Sequence, residues 1–179
     1  MSNIPPKVQA FLNNHNLSAL EFEPGSTPTA ETAAQRIGVS VGRIAKSILF
    51  KGKDEKYRLV VAAGDKKINS GALKRATGAK HRMATAEETQ ETTGFLPGGV
   101  CPFGLEDTSV TILLDASLDA YDTVYPAAGT DATGVPLSPD YLLQITGGVK
   151  VEVTCFQVIF RPLPHFRPVK PLHIAKFRH

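Results

Sequence analysis

Residues 45–64 read AKSILFKGKDEKYRLVVAAG. Two apolar runs, 45–51 and 57–63, flank a charged turn that contains Gly52, which is the pattern of a β-hairpin. Lys46 and Ser47 stand side by side at the start of the first run, and strand alternation points one of them toward the packed face of a sheet and the other away. A hairpin of this kind belongs to antiparallel pairing. The segments around it decide whether the whole sheet follows.

On the N-terminal side, residues 4–14 place Ile4, Val8, Phe11 and Leu12 at helical spacing, with Pro5 tolerated in the first turn. SALEFEP (18–24) reads as a short strand. TPTAETAAQRIGV (27–39) reads as a helix capped by Thr29, with Ala30, Ala33, Ala34 and Ile37 on one face and Gly38 as its stop. On the C-terminal side, NSGALKRATGA (69–79) predicts a helix from a capping Asn69 to Gly78. TAEETQETTG (85–94) predicts another, with a capping box of Thr85 and Glu88. SVTILLD (109–115) reads as an apolar strand, and YDTVYPAAG (121–129) as a strand running into a small-residue loop. SPDYLLQITGG (138–148) is a helix with Ser138 as cap and Pro139 at its first position, and VKVEV (149–153) alternates as a last strand. Strands and short helices alternate irregularly, without the long crossovers of a doubly wound sheet. The expectation is an α+β single domain with a mixed, largely antiparallel sheet flanked by short helices.

The 179 residues suit one domain with a substantial core, and 42% hydrophobic with 21% charged residues is ordinary for a globular chain. Apolar runs are too short to cross a membrane, and the start lacks the basic segment and apolar stretch of a secretory signal. The two cysteines, Cys101 and Cys155, read as free thiols of a reducing compartment, so the expected location is the cytoplasm. The formal charge of +3 is unevenly placed. All 17 acidic residues lie at or before Glu152, whereas residues 154–179 hold Arg161, Arg167, Lys170, Lys176 and Arg178 with no acid. The chain therefore divides into a near-neutral domain, 1–153, and a basic, proline-containing C-terminal extension, 154–179, weakly indicative of a polyanionic partner.

GFLPGGVCPFGLED (94–107) is the most conspicuous loop. A catalytic cysteine needs a base and an electropositive setting. Of the five histidines, only His81 is a candidate partner for Cys101, which reads better as a packing residue. There is no C-x-x-C, no H-x-x-x-H, no Walker lysine and no G-x-S-x-G, so metal, nucleotide and serine-hydrolase motifs are missing. Two features carry chemistry beside their ordinary readings. Lys46 is either a lysine snorkelling at a strand end or a cation at a cleft mouth that holds a phosphate or polarises a carbonyl. Gly98 and Gly99 are either part of a turn-rich connection or a place where bare backbone approaches a ligand. YPAAGT (125–130) has the same small-residue character and could form the opposing wall.

Taken in order, TAETAAQRIGV, RIAKSILFK, LVVAAGDKKIN, LKRATGAK, ATAEETQETTGFLPGGVCPFGL, VYPAAGT and LSPDYLLQITG resemble the YbaK/EbsC superfamily. These are aminoacyl-tRNA deacylases related to the editing domain of bacterial prolyl-tRNA synthetases. The likeness runs from about residue 5 to 153. Its most specific parts are a strand-borne lysine followed by serine or threonine and an apolar residue, and the run TG-x-x-x-GG-V-x-PFG.

The resemblance implies a compact α+β fold with a cleft for the aminoacylated 3′ end of tRNA. It implies trans-editing: hydrolysis of the ester that joins a wrong amino acid to the terminal ribose, typically on proline tRNA, in the service of translation fidelity. Lys46 would hold the terminal phosphate, and the backbone of Gly98 and Gly99 would orient the ester and a ribose hydroxyl or water. Ser47, Val100, Pro102, Phe103, Ala127, Ala128, Gly129 and Thr130 would bind substrate. An activated ester needs only modest catalysis, so positioning and backbone electrostatics suffice without metal or cofactor. Editing is required because one methylene discriminates by only about 1–3 kcal/mol. The small residues point to a pocket for alanine, 2-aminobutyrate or cysteine. Mischarged tRNA is the implied partner, with prolyl-tRNA synthetase a further one. Two rivals stand beside this reading: a non-catalytic tRNA- or aminoacyl-binding module of the same fold, and a cysteine hydrolase using Cys101.

Overall fold

The register of one hairpin places almost everything else. In the computed structural model, which describes residues 3–106 and 108–156, β2 (Ala45–Gly52) pairs antiparallel with β3 (Tyr57–Ala63), from Ala45 opposite Ala63 to Lys51 opposite Tyr57. The expected strands are met to within one residue. The turn is closed by Gly52 N–H donating to Lys56 O (2.9 Å) and by Glu55, which takes a positive φ of 60°. Arg58 is buried, and it donates to both oxygens of Asp54 (3.0 and 2.7 Å), which ties the tip to the strand.

Around this hairpin β1 (Leu20–Glu21) and β4 (Lys66–Ile68) are short outliers. The central sheet takes in β5 (His81–Met83), β6 (Thr111–Asp115) and, after β7 (Thr133–Gly134), β8 (Val149–Val151). Its order is β5-β2-β3-β6-β8. The pairs on the β5 side are antiparallel, and those joining β3 to β6 and β6 to β8 are parallel, so this is an α+β domain on a mixed sheet. Two antiparallel ribbons complete it: β1 with β7, and β4 with β9 (Thr154–Phe156).

Helix α1 (Pro6–Asn14) starts behind Pro5 without a side-chain cap, whereas α2 (Ala30–Ile37), α3 (Ser70–Thr77), α4 (Ala86–Thr93) and α5 (Pro139–Thr146) begin and end where their caps predict. Thr29 and Thr85 form capping boxes, Asn69 and Ser138 cap through their side chains, and Gly38, Gly78, Gly94 and Gly147 close helices in the left-handed region. On the first face of the sheet, Leu49, Leu59, Val61, Ile112 and Leu114 pack with α1, α5 and the glycine-rich loop. On the second, Phe50, Val60 and Leu113 pack with Leu73 of α3 and with Val153. A third, smaller cluster sets Ala33 and Ala34 of α2 against Ile44, where β2 begins.

Residues 121–129 do not form the expected regular strand. Val124 and Tyr125 make single bridges, to Leu137 and Ile44, and Pro126 has no N–H with which to extend a ladder. The domain also runs past Val153. Thr154–Phe156 pair with β4, and the remainder of the expected extension, 157–179, lies outside the described residues.

The anchor for this last segment is Asp115, a buried carboxylate that accepts from Ser117 N–H (2.9 Å), Val153 N–H (2.6 Å) and the Thr154 hydroxyl (2.8 Å). Asp115→Ala leaves three buried or half-buried donors without an acceptor. The expected loss is about 3 kcal/mol of unfolding free energy, read as a lower urea midpoint at unchanged slope.

Candidate active site

The hairpin register decides which way Lys46 and Ser47 face. Ser47 lies opposite Val61 and alternates with Leu49, so its side chain belongs to the first face. Lys46 lies opposite Ala62 and alternates with Phe50, so it belongs to the second. The ammonium of Lys46 is half-buried at the end of the hairpin. It donates to Gly64 O (3.1 Å) and to Lys66 O, two carbonyls of the turn into β4. Burial pulls its pKa below the ordinary lysine value, and Glu31 and Asp65 act in the opposite direction. Two of its three proton donors are thus directed by main-chain oxygens, and the third is left for another acceptor. The Ser47 hydroxyl oxygen is buried and has no hydrogen-bond partner among the described residues.

Both residues line a cavity of about 170 Å³ where β2 begins. The first turn of α2 and Ala33 form one side, Gly98 and Val100 another, and Ala127 with Thr133 a third. Most of the walls are small or β-branched side chains, and Tyr125 is the one aromatic residue among the described residues that form them. Thr133 does more than line the space: its hydroxyl accepts from Ala128 N–H (2.9 Å) and donates to Thr130 O (3.2 Å), which fixes the loop that carries Ala127. Sequence reading did not single out Thr133, Ala33 or the α2 turn. The small residues of α2 were legible only as a helix face.

The glycine-rich loop hangs between two fully buried rings, Phe95 and Phe103, with Leu96 exposed between them. The ring of Phe103 packs on Phe11 of α1 (5.4 Å between centroids), and the Lys7 ammonium sits over Phe95 (4.3 Å) and donates to Thr93 O. Gly98 has a positive φ of 89° and faces the cavity. Gly99 does neither. Its N–H donates to Leu96 O (3.1 Å), and a Cβ there would stand 2.7 Å from Gly129 O and 2.8 Å from Thr130 Cα. Its part is to let the two small-residue loops touch.

The residues expected to bind substrate therefore divide. Lys46, Ser47, Gly98, Val100 and Ala127 share the cavity. Phe103 and Ala128 are wholly buried in the first-face core and support the loops from behind. Pro102 lines a different cavity, beside Phe11 and Leu105. Gly129 and Thr130 stand behind Ala127, with Gly129, at φ 85°, packed closely on Pro5 and Phe95. Among the described residues no three His, Cys, Asp or Glu side chains come together as a metal site would need, and no helix is long and apolar enough to cross a membrane.

A family model described as the aminoacyl-tRNA editing domain matches residues 24–145, which include all of the cavity's residues. The chain belongs to the aminoacyl-tRNA editing domain family. Among relatives of this editing domain, the uncharacterised protein YwhH of Bacillus subtilis is 42% identical over 133 residues, 74% of this chain and 83% of that one. EbsC of Enterococcus faecalis, a candidate Cys-tRNA(Pro)/Cys-tRNA(Cys) deacylase, is 28% identical over 70% of this chain and 77% of its own. A crystal structure of a candidate trans-editing enzyme for prolyl-tRNA synthetase superposes with a TM-score of 0.75 at 34% identity, covering 84% of this chain and 98% of that one.

Within this editing domain, Cys101 is completely buried, and desolvation pushes its thiol up to about 12, far from the thiolate a nucleophile needs. Cys155, on β9, is exposed. A disulfide-exchange reagent at neutral pH should therefore titrate one thiol per folded chain rapidly and the second only on unfolding. Fast reaction of both would contradict the burial of Cys101.

Proposed function

We propose that this editing domain hydrolyses the ester of mischarged tRNA in trans, on proline tRNA that carries a small, wrong amino acid. The observation that carries the reading is the convergence of Lys46, Ser47, Gly98 and Ala127 on one small-walled cavity, in a chain whose family edits aminoacyl-tRNA. EbsC, a candidate Cys-tRNA(Pro)/Cys-tRNA(Cys) deacylase, and the solved candidate trans-editing enzyme for prolyl-tRNA synthetase support the choice of tRNA.

In this reading Lys46 directs its remaining N–H to a phosphate oxygen of the terminal nucleotide, and the carbonyls at Gly64 and Lys66 keep the ammonium from swinging away. Gly98 lets the loop backbone approach the ester, where main-chain dipoles stabilise the developing oxyanion. Water adds its oxygen to the acyl carbon, the acyl–oxygen bond breaks, and a proton passes to the ribose oxygen, giving a free amino acid and tRNA. Ala127, held by Thr133, limits the side chain that fits. Ser47 offers the unpartnered hydroxyl to the bound end.

The test is a deacylation panel of proline tRNA charged with proline, alanine, cysteine and a large residue. Alanine or cysteine should be removed fastest, and fastest removal of the large residue would overturn the proposal. Lys46→Ala should lower kcat/KM by about 30-fold or more, the scale of losing a charged hydrogen bond in a partly buried site. Ser47→Ala separates a ligand contact from a structural one. Its hydroxyl bonds nothing among the described residues, so the thermal midpoint should hold while kcat/KM falls roughly 3- to 10-fold.

A further inference from the structure

Charge is sorted between the two faces of the sheet. Between Asp65 and Glu87 the chain has no acidic residue, yet it carries Lys66, Lys67, Lys74, Arg75, Lys80 and Arg82. β4 and α3, which hold the first four, lie over the second face, where Leu73 is buried against Phe50, Val60 and Leu113. With Leu73 inward, Lys74 and Arg75 are exposed, as are Lys67 and Lys80. Lys53 extends the row to the hairpin tip, where its N–H donates to Lys80 O (2.9 Å). Among the described residues no ion pair engages Lys53, Lys67, Lys74, Arg75 or Lys80.

The acids near this layer are Asp65, 3.8 Å from Lys66; Asp54, held by Arg58; Glu55, beside Lys53 and Lys80 at the tip but paired with Lys51 (2.9 Å); Glu31, close enough to act on Lys46; and Glu152, exposed just before β9. Arg82 alternates to the first face, opposite Lys51, and is neutralised by Glu88. Glu87 and Glu91 stand beside Glu88 on α4, and Asp140 stands on α5, which packs on that face.

We propose that the β4–α3 layer, continued by Lys80 and Lys53, is the docking surface for the phosphate backbone of the RNA whose 3′ end enters the cavity; this rests on the editing function proposed above. The layer begins at the cavity's own cation. Lys46 belongs to the second face, and its ammonium is bonded to Lys66 O, at the first residue of β4. From Lys46 to Lys53 the extended strand runs roughly 23 Å, a span of several backbone phosphates. An RNA held at Lys46 has to leave the cavity, and this row offers unpaired, solvated cations along one way out. The exposed side of α3 shows Ser70, Gly71, Lys74 and Arg75 and no large apolar residue, which favours a phosphate backbone over a bilayer that such a helix would have to enter.

The experiment compares the full-length chain with Lys67→Gln/Lys74→Gln/Arg75→Gln, using uncharged proline tRNA as the probe from 50 to 200 mM salt. Binding should weaken at least about tenfold at 50 mM. The slope of log affinity against log salt should become shallower by roughly 2–3, about 0.7–0.9 for each of the three lost contacts. A second variant, Lys53→Gln/Lys80→Gln, should move both readouts in the same direction, and both variants should keep the wild-type thermal midpoint. A mischarged CCA trinucleotide, too short to reach the layer, should be cleaved by the triple variant at the wild-type rate. Unchanged affinity and slope in the two variants would overturn the proposal. So would loss of binding to phosphatidylserine vesicles with tRNA affinity intact, which would make the surface a membrane contact. If wild-type protein cleaves neither whole tRNA nor trinucleotide, the editing function fails, whereas weakened tRNA binding by the triple variant still supports the surface.

Discussion

The pairing of β2 with β3 is the constraint on which the site depends. A slip of one residue would send Lys46 into the apolar first face and turn Ser47 outward, because side chains alternate with a period of two. Three features oppose that slip. The β3 strand is buried on both faces, so every register but one exposes apolar surface or buries Arg58 without its carboxylate. The Asp54–Arg58 pair and the Gly52–Lys56 bond fix the tip. At the other end, Ala45 N–H donates to Tyr125 O (3.2 Å), which docks the loop before the cavity wall onto the start of β2. Register, an attribute of the whole hairpin, thus becomes the placement of one ammonium and one hydroxyl.

The loops that complete the cavity are held in place by contacts that have little to do with substrate. The glycine-rich loop is moored by Phe95 and Phe103, and the 125–133 loop by the Thr133 hydroxyl. They meet at Gly99 and Gly129, where any side chain would collide with backbone or with Pro5. Close approach of two backbones leaves no room for a side chain at either, so main chain sets the wall there. Discrimination by size needs such a wall, since a soft one would admit the extra methylene for less than the difference it is meant to enforce.

Local order was legible in the sequence because it is encoded locally. Caps such as Thr29, Asn69 and Ser138 name their own helices, and the hairpin announces itself through two apolar runs and a charged turn. The parallel pairing of β3 with β6 and of β6 with β8 was not legible, since nothing in TILLD specifies a partner fifty residues away. Nor could the motif GGVCPFG say which of its residues face a ligand. Gly98 and Val100 do line the cavity, while Cys101 and Phe103 turn into the core and Pro102 to its far side. A contiguous motif mixes lining with scaffold. Val124 and Tyr125 are apolar enough for a strand, but Pro126 ends the ladder after single bridges. Thr133 carried no sequence signal at all, because its role is a hydrogen bond to a loop that only the fold brings near.

The division of labour between the two faces follows from the energetics of the site. Packing needs a dry first face, and there the glycine loop, α1 and α5 close over Leu59, Val61 and Leu114. A polyanion needs solvated cations, which lose little by staying in water until a phosphate arrives, and the second face supplies them on β4 and α3. Lys46 stands where the two regimes meet. It is buried enough for desolvation to weaken its hold on a proton, yet its charge is sustained by two carbonyls and by Glu31 and Asp65. A lysine deeper in the core would lose its charge, and one fully in water would lose its orientation. The end of the hairpin, where Gly64 leaves room for Val41 O (a Cβ would stand 2.4 Å from it), is the place in this fold where neither happens.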